Sequence, residues 1–498
     1  MSGLLGGFLS AFQLSNLWPG ILGCALGTAV GVIPGMAPTA AMGLLLPVAI
    51  LLGPLPGLIF LGALYYGTQY GSSVSAILMN MPSEPPSVVI AKDGYELTKR
   101  GRGGAAIITA ATSSFTGGII GLLGLAIIAP WVSRFALRFG PAEFFAICVF
   151  GLLVMSRFSS PSWGKALVAV GLGVSLATVG IDPINGTQRF TLGTLTLQHG
   201  INVVPVAVGF FGVAEVIRRS YAKSGSIPPL KSLRLRELVP SRAEWRRSFP
   251  ASLRGTVVGF IFGSLPGPAL VLASYASYKL EYILRRGQSR NPDLITGIAG
   301  PKAADDSAVG ATLGPLMVLG LPFTPITAVL FAGFVLKGLQ PGPTLIKFHP
   351  DTFWGLLGAM LLANFILIIL NIPGVNIWVR ILRIPGPYLA AIMLLMMIVG
   401  VYALNNNWSD VLIMTGSGIL GLILDELGLD RAVVILGLVL GPTLEESLRQ
   451  ALISSSGRLS VLVQSSLSLG IYGITVCAVL APTVIRLVQR RHSRVREA

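Results

Sequence analysis

The sequence predicts an all-α polytopic membrane protein with broken or re-entrant helices and two inverted-topology repeats. Three observations carry that expectation. Of the 498 residues, 53% are hydrophobic and only 11% charged, with a mean hydropathy of +0.77, well outside the range of soluble domains. Apolar runs long enough to cross a bilayer recur along the chain. A Pro-Gly motif inside one such run returns in the second half.

The apolar runs include Gly104–Pro130, Lys165–Gly180, Trp354–Ile372, Pro387–Leu404 and Ser460–Leu487. At about 20 residues per crossing, the chain is expected to hold roughly a dozen spans. Its 61 glycines and 33 prolines suit spans that pack closely and break where neighbouring helices satisfy the freed backbone groups.

A net charge of +16 would suggest nucleic-acid binding in a soluble chain, but here Lys and Arg lie in loops and report topology. No nucleic-acid partner is expected. Arg218–Arg254, Lys92–Gly103 and Arg486–Ala498 are the basic segments, and the positive-inside rule puts all three in the cytoplasm. The first 20 residues carry no charged side chain, which places that end outside or at the interface. They also lack the charged start and cleavage site of a removable signal peptide. The expected organisation is a first transmembrane repeat over 1–217, a basic cytoplasmic linker over 218–254, a second repeat over 255–485 and a basic cytoplasmic tail over 486–498. Cys24, Cys148 and Cys477 lie in apolar runs without ligand spacing and read as packing residues.

The duplication rests on two ordered matches. GTAVGVIPGMA (Gly27–Ala37) aligns with GFIFGSLPGPA (Gly259–Ala269), superposing Gly27/Gly259, Gly31/Gly263, Pro34/Pro266, Gly35/Gly267 and Ala37/Ala269. ILMNMPSEP (Ile77–Pro85) then aligns with MVLGLPFTP (Met317–Pro325), superposing Pro82/Pro322 and Pro85/Pro325. The first Pro-Gly element follows an uncharged terminus and the second a strongly basic loop, so the two copies are expected to enter the membrane from opposite faces. Proline withholds a backbone N–H and glycine accepts unusual conformations, so each helix stops there. The freed N–H groups and the positive end of the next half-helix can face an anion.

Between the paired elements, Tyr65–Ser87 concentrates Tyr66, Thr68, Gln69, Tyr70, Ser72, Ser73, Ser75 and Asn80 in apolar surroundings. Such hydroxyls and amides can orient a carboxylate or coordinate a cation, or join helices by hydrogen bonds. Glu84 is expected at an aqueous mouth. In the second half, Asp305 and Asp306 are adjacent, so on a helix they point about 100° apart and are expected not to share one small site. Lys302 lies within ion-pairing reach on one helical face. A solvated helix end and a coupling-ion site both fit this trio. Asp182 and Arg189 are expected to pair across a turn at the membrane surface. Lys92–Gly103 reads as a loop, and Glu215 as a cap beside Arg218 and Arg219.

In this order, GVIPGMAPTAAMGLLLP, YYGTQYGSSVSAILMNMP, DGYELTKRGRGGAA, GIDPINGTQRFTLG and GLQPGPTL resemble the large membrane subunit of the tripartite tricarboxylate transporter family over most of the chain. The resemblance implies a bacterial inner-membrane permease that works with a small membrane subunit and a periplasmic substrate-binding protein. Together they would import a small carboxylated metabolite on a Na⁺ or H⁺ gradient, with no other cofactor. Family members usually carry Glu-Ala-Ala-Asn-Asn where this chain has Lys302-Ala303-Ala304-Asp305-Asp306, Gly-Ile-Pro-Gly where it has Gly320-Leu321-Pro322-Phe323, and glycine at Ser83. These departures point to an altered substrate, with a regulatory role as the alternative.

Substrate contacts are expected from Pro34, Gly35, Pro38, Thr39, Tyr70, Gly71, Ser72, Ser73 and Asn80 in the first repeat. Pro266, Gly267, Pro268, Ser307, Pro322, Phe323 and Thr324 are their counterparts in the second, with Asp305 and Asp306 as candidate ion-coupling residues. An intramembrane enzyme is disfavoured. His199, His349 and His492 are the only histidines, and neither H-E-x-x-H nor G-x-S-x-G occurs. A channel would share the paired broken helices and differ in its flux.

Overall fold

The computed structural model describes residues 2–33, 36–159, 162–182, 185–221, 239–284, 294–381 and 386–480. Pro34, Gly35, residues 222–238 of the basic linker and the basic C-terminal tail lie outside the described residues. The first half runs α1 (Ser2–Ala11), α2 (Leu14–Val32), α3 (Pro38–Leu51), α4 (Pro54–Met79), α5 (Pro85–Lys99), α6 (Gly103–Ala136), α7 (Pro141–Ser159) and α8 (Trp163–Ala177). A short antiparallel hairpin follows, β1 (Gly180–Ile181) with β2 (Gln188–Arg189), in which Gly180 opposes Arg189. Then come α9 (Leu195–Gln198), α10 (Val203–Ala207), a π-helical turn (Val208–Val213) and α11 (Ala214–Tyr221).

The second half runs α12 (Arg242–Gly263), α13 (Ala269–Leu284), α14 (Leu294–Gly314), a π-helical turn (Pro315–Leu319), α15 (Pro325–Leu336) and α16 (Pro343–Phe348). It continues through α17 (Pro350–Ile381), α18 (Gly386–Asn405), α19 (Trp408–Leu427), α20 (Arg431–Ser454), α21 (Val461–Gln464) and α22 (Ser466–Leu480). Proline opens α3, α4, α5, α15 and α16, the first helical position being the one where its missing N–H costs nothing.

Two helices among the described residues, Gly103–Ala136 and Pro350–Gly374, are long and apolar enough to cross a membrane by length and composition. Other apolar runs are cut shorter, such as Pro38–Leu51, Trp163–Ala177 and Pro325–Leu336. The expected spans, roughly a dozen, are therefore not matched by a dozen long helices.

Two polar-rich helices occupy the centre. α4 is buried at every residue from Gly57 to Met79, and α14 from Leu294 to Leu313. Each is clasped by a helix whose glycines recur every fourth position. Gly23, Gly27 and Gly31 of α2 lie against the backbone of Phe60, Leu64 and Thr68, and Gly255, Gly259 and Gly263 of α12 lie against that of Gly300, Ala304 and Ala308. A Cβ at any of the six would collide with main-chain atoms, so small residues let these backbones meet.

The helices break where the Pro-Gly motifs fall. α2 ends at Val32 and α3 begins at Pro38; α12 ends at Gly263 and α13 begins at Ala269. Gly267 sits at φ 121°, a conformation that residues with a Cβ avoid. α4 ends on Asn80 at φ 54°, and the π-helical turn after α14 ends on Gly320 at φ 73°, so both central helices close with a left-handed residue.

Two expectations are corrected here. The segment read as a loop from Lys92 is helical to Lys99 as the end of α5. Ile90 and Leu97 share its buried face, and Thr98 Oγ1 donates to the carbonyl of Ile77 at 2.8 Å. Cys24 and Cys148 are buried as packing residues, but Cys477 is exposed on α22. Glu215 does pair with Arg218, at 2.5 Å.

Candidate functional site

The side chains of Lys302, Asp305 and Asp306 are wholly buried in α14. Lys302 Nζ lies 3.0 Å from Asp305 Oδ2 and 2.8 Å from Asp306 Oδ2. The adjacent aspartates were expected to diverge. Instead the lysine, three and four residues earlier, extends its stem along the same face and sets one cation between them. Their burial also rules out a solvated helix end. The ammonium further donates to the carbonyl of Gln69 at 3.3 Å, tying α14 to α4.

Glu84 is buried beside this trio, not at an aqueous mouth. It is the residue before the first turn of α5, and Ser87 Oγ donates to its Oε1 at 3.3 Å. The side-chain amide of Gln69 abuts its carboxyl. One glutamine thus contacts both the lysine, through its backbone, and the glutamate, through its side chain. Tyr65, Tyr66 and Tyr70 of α4 are buried around the same charges.

Two of the sequence-predicted hydroxyls, those of Ser72 and Ser307, join helices. Ser72 Oγ meets Ser87 Oγ at 2.8 Å and Ser307 donates to the Thr256 carbonyl at 2.8 Å, whereas Ser73 donates to the Gln69 carbonyl one turn back on α4 at 3.2 Å. Tyr70 and Gly71 are buried in α4, with Gly71 against the α2 backbone. Asn80 ends α4, Pro266 and Pro268 flank Gly267 at the second break, and Pro322 is buried before α15. Thr324 caps α15 reciprocally with Thr327. Phe323 packs edge-on against Phe150, with ring centroids 6.1 Å apart, in a cluster with Leu321, Leu436 and Leu440. The Ser83 hydroxyl lies 3.2 Å from the carbonyl of Gly31 and 3.1 Å from that of Ile33, so its single proton serves the carbonyls left free at the end of α2.

A different set of residues borders an open depression. A cavity of ≈ 340 Å³ is lined by Thr39, Phe211, Pro325, Asp425, Asp430 and Arg431 among others. The first turns of three helices meet there: α3 at Thr39, α15 at Pro325 and α20 at Arg431. α15 and α20 carry side-chain caps from Thr324 and Asp430, whereas α3 begins after Ala37 and has none. Arg431 Nε bonds Asp425 Oδ1 at 2.9 Å, and another of its nitrogens donates to the carbonyl of Phe210. The guanidinium lies over the Phe211 ring, 5.9 Å from its centroid. Helix N-termini and a fixed guanidinium are suited to an anion.

Sequence reasoning placed Thr39 in the site and missed Arg431. The signal was present: Gly428 at φ 68° closes α19 and Asp430 caps α20, a stop and start that put the arginine at a helix entrance.

The Asp182–Arg189 pair forms at 2.5 Å and belongs to a larger network. Arg189 also meets Glu445 at 2.9 Å, and Arg449 meets Asp182 at 3.0 Å and Glu445 at 2.6 Å. The hairpin loop is thereby fastened to α20. Among the described residues, no group of three or more His, Cys, Asp or Glu could hold a metal ion.

A family model described as the tripartite tricarboxylate transporter TctA family matches residues 17–436. An uncharacterized 52.8 kDa protein from the TAR-I ttuC′ 3′ region of Agrobacterium vitis is 41% identical over 487 residues, covering 97% of this chain and 96% of that protein. A second A. vitis protein, from the TAR-II ttuC′ 3′ region, is 40% identical over 229 residues, 45% of this chain and 93% of its own length.

Proposed function

Since this chain belongs to the tripartite tricarboxylate transporter TctA family, we propose that it is the large permease subunit of a secondary transporter importing a small carboxylated metabolite. A periplasmic binding protein delivers the anion, a small membrane subunit completes the complex, and a Na⁺ or H⁺ gradient drives uptake. The protein resides in a bacterial inner membrane with its C-terminus in the cytoplasm. This is transport rather than catalysis.

The observation that carries the reading is the cavity where α3, α15 and α20 begin beside Arg431. Its ≈ 340 Å³ falls within the size range of small-molecule sites, roughly 300–1,000 Å³. Thr39 comes from the first Pro-Gly element, and Pro325 from the second copy of the later proline motif. The substrate carboxylates meet the uncapped first turn of α3 and the Arg431 guanidinium.

The inverted repeat is part of the same proposal. In its support, α2 on α4 and α12 on α14 use glycines at corresponding positions. Helix α5 packs on α13, and α3 on α15, the exchange of contacts that a two-fold relation between the halves requires.

The test is uptake of a tricarboxylate in cells carrying the partner subunits. Arg431→Gln removes one charge-assisted bond and should raise KM by about tenfold or more. Unchanged KM and rate in Arg431→Gln would remove the anion from this cavity.

A further inference from the structure

We propose that Glu84 carries the coupling proton of this transporter, taking it up and releasing it within the membrane while the Gln69 amide and the Ser87–Ser72 hydroxyls satisfy both of its states. The proposal rests on the transport reading and narrows it from a Na⁺ or H⁺ gradient to H⁺.

One lysine and three acidic side chains share one buried region between α4, α5 and α14: Lys302, Asp305, Asp306 and Glu84. One ammonium therefore faces three carboxyl groups. Lys302 stands within ion-pair distance of both aspartates, and among the described residues Glu84 has no cation within that distance. A buried carboxylate without a paired cation is costly, and binding a proton removes the cost.

The atoms that touch Glu84 suit both of its protonation states. A carboxylate only accepts hydrogen bonds, whereas a protonated carboxyl also donates one. A side-chain amide offers N–H donors on one edge and a carbonyl acceptor on the other. With its NH₂ turned to Glu84, Gln69 donates to the carboxylate; with its oxygen turned there, it accepts from the protonated acid. Ser87 Oγ, 3.3 Å from Oε1, and Ser72 Oγ, 2.8 Å beyond it, are rotatable hydroxyls that can reverse in step. Protonation thus leaves Glu84 hydrogen-bonded in either state, at the price of an amide flip and two hydroxyl rotations.

Lys302, Asp305 and Asp306 face Glu84 from α14 and Tyr65 faces it from α4. On α13 the polar contact to α5 is Tyr278 with Asp93, more than two turns along the helix, and at the entry to α6 Arg102 is paired with Glu244. The aspartates differ from Glu84 in two respects. They hold the lysine, and their Oδ1 atoms have no hydrogen-bond partner.

Two measurements on the full chain test the proposal. In the first, purified protein is titrated while the infrared carbonyl stretch of protonated carboxyl groups is followed. A band that appears and disappears reversibly as the pH is varied is expected in wild type, is lost in Glu84→Gln and persists in Asp305→Asn. Loss of that band in Asp305→Asn or Asp306→Asn but not in Glu84→Gln, or no titrating band in wild type, overturns the assignment. Glu84→Asp keeps the chemistry and should shift the band, which guards against a misfolded glutamine variant.

In the second, citrate uptake is followed with the partner subunits in Na⁺-free medium under an imposed pH gradient. Wild type should accumulate citrate, whereas Glu84→Gln should lose accumulation and keep citrate exchange. Uptake that needs Na⁺ and ignores the pH gradient overturns proton coupling but leaves the transport reading intact. Absence of citrate uptake under either gradient counts against the transport reading for this substrate, and the infrared titration still decides Glu84.

Discussion

Lys302 Nζ lies 2.8 Å from Asp306 Oδ2, and neither side chain reaches solvent. The same ammonium holds Asp305 at 3.0 Å, so one cation keeps two carboxylates compatible with the centre of the molecule. Such an arrangement adds little net stability over an apolar one, but losing its cation is expensive.

Lys302→Met should therefore destabilise the fold by about 3–5 kcal/mol, seen as a lower midpoint of thermal unfolding in detergent. Combining it with Asp305→Asn and Asp306→Asn leaves no uncompensated charge in the trio and should recover most of the loss. A single variant as stable as wild type would mean that the lysine does not pair with these aspartates.

Close packing at the glycines makes a second prediction. In Gly259→Ala the new methyl meets the Ala304 backbone, and overpacking of this kind costs about 1–3 kcal/mol. Gly27→Ala should behave alike against Leu64. Gly171→Ala on α8 meets nothing within 4 Å and should leave the melting temperature unchanged, so equal effects at all three positions would contradict the packing.

The loop between β1 and β2 is held to α20 through Asp182, which pairs with both Arg189 and Arg449. Asp182→Asn leaves two arginines competing for Glu445. Limited proteolysis should nick this loop faster in the variant, reflecting a loss of about 3 kcal/mol. Equal cleavage rates would show that other contacts fix the loop.

At the linker end of α12, the Arg102 guanidinium, with the Ser241 N-cap, draws the Glu244 carboxyl from its ordinary 4.5 down to about 2. A depressed acid stabilises the fold fully above its unfolded value and loses that contribution as pH falls through the folded one. The melting difference between wild type and Glu244→Gln should hold steady above about pH 5 and shrink toward pH 2. A difference that grew on acidification would reverse the sign and exclude the pairing.

Part of this molecule is legible in its sequence. Pro-Gly at Pro266 and Gly267 announced a helix break because the two residues together remove a donor and tolerate φ 121°. The pair Asp182–Arg189 was readable because a short turn separates the two residues. Glu84 was misplaced because Pro-Ser-Glu-Pro resembles an exposed turn, and only the packing of α5 on α4 and α14 encloses it.

The sequence by itself determined the broken helices, the close glycine contacts and the membrane-like composition, since each follows from local backbone chemistry or from summed hydropathy. Tertiary structure decided which polar groups share an environment. It brought Arg431 to the start of α3, set Gln69 between Lys302 and Glu84, and turned adjacent aspartates onto one lysine. Those relations join residues far apart in the chain, and in an interior of low dielectric the partner a charge finds depends on how helices pack.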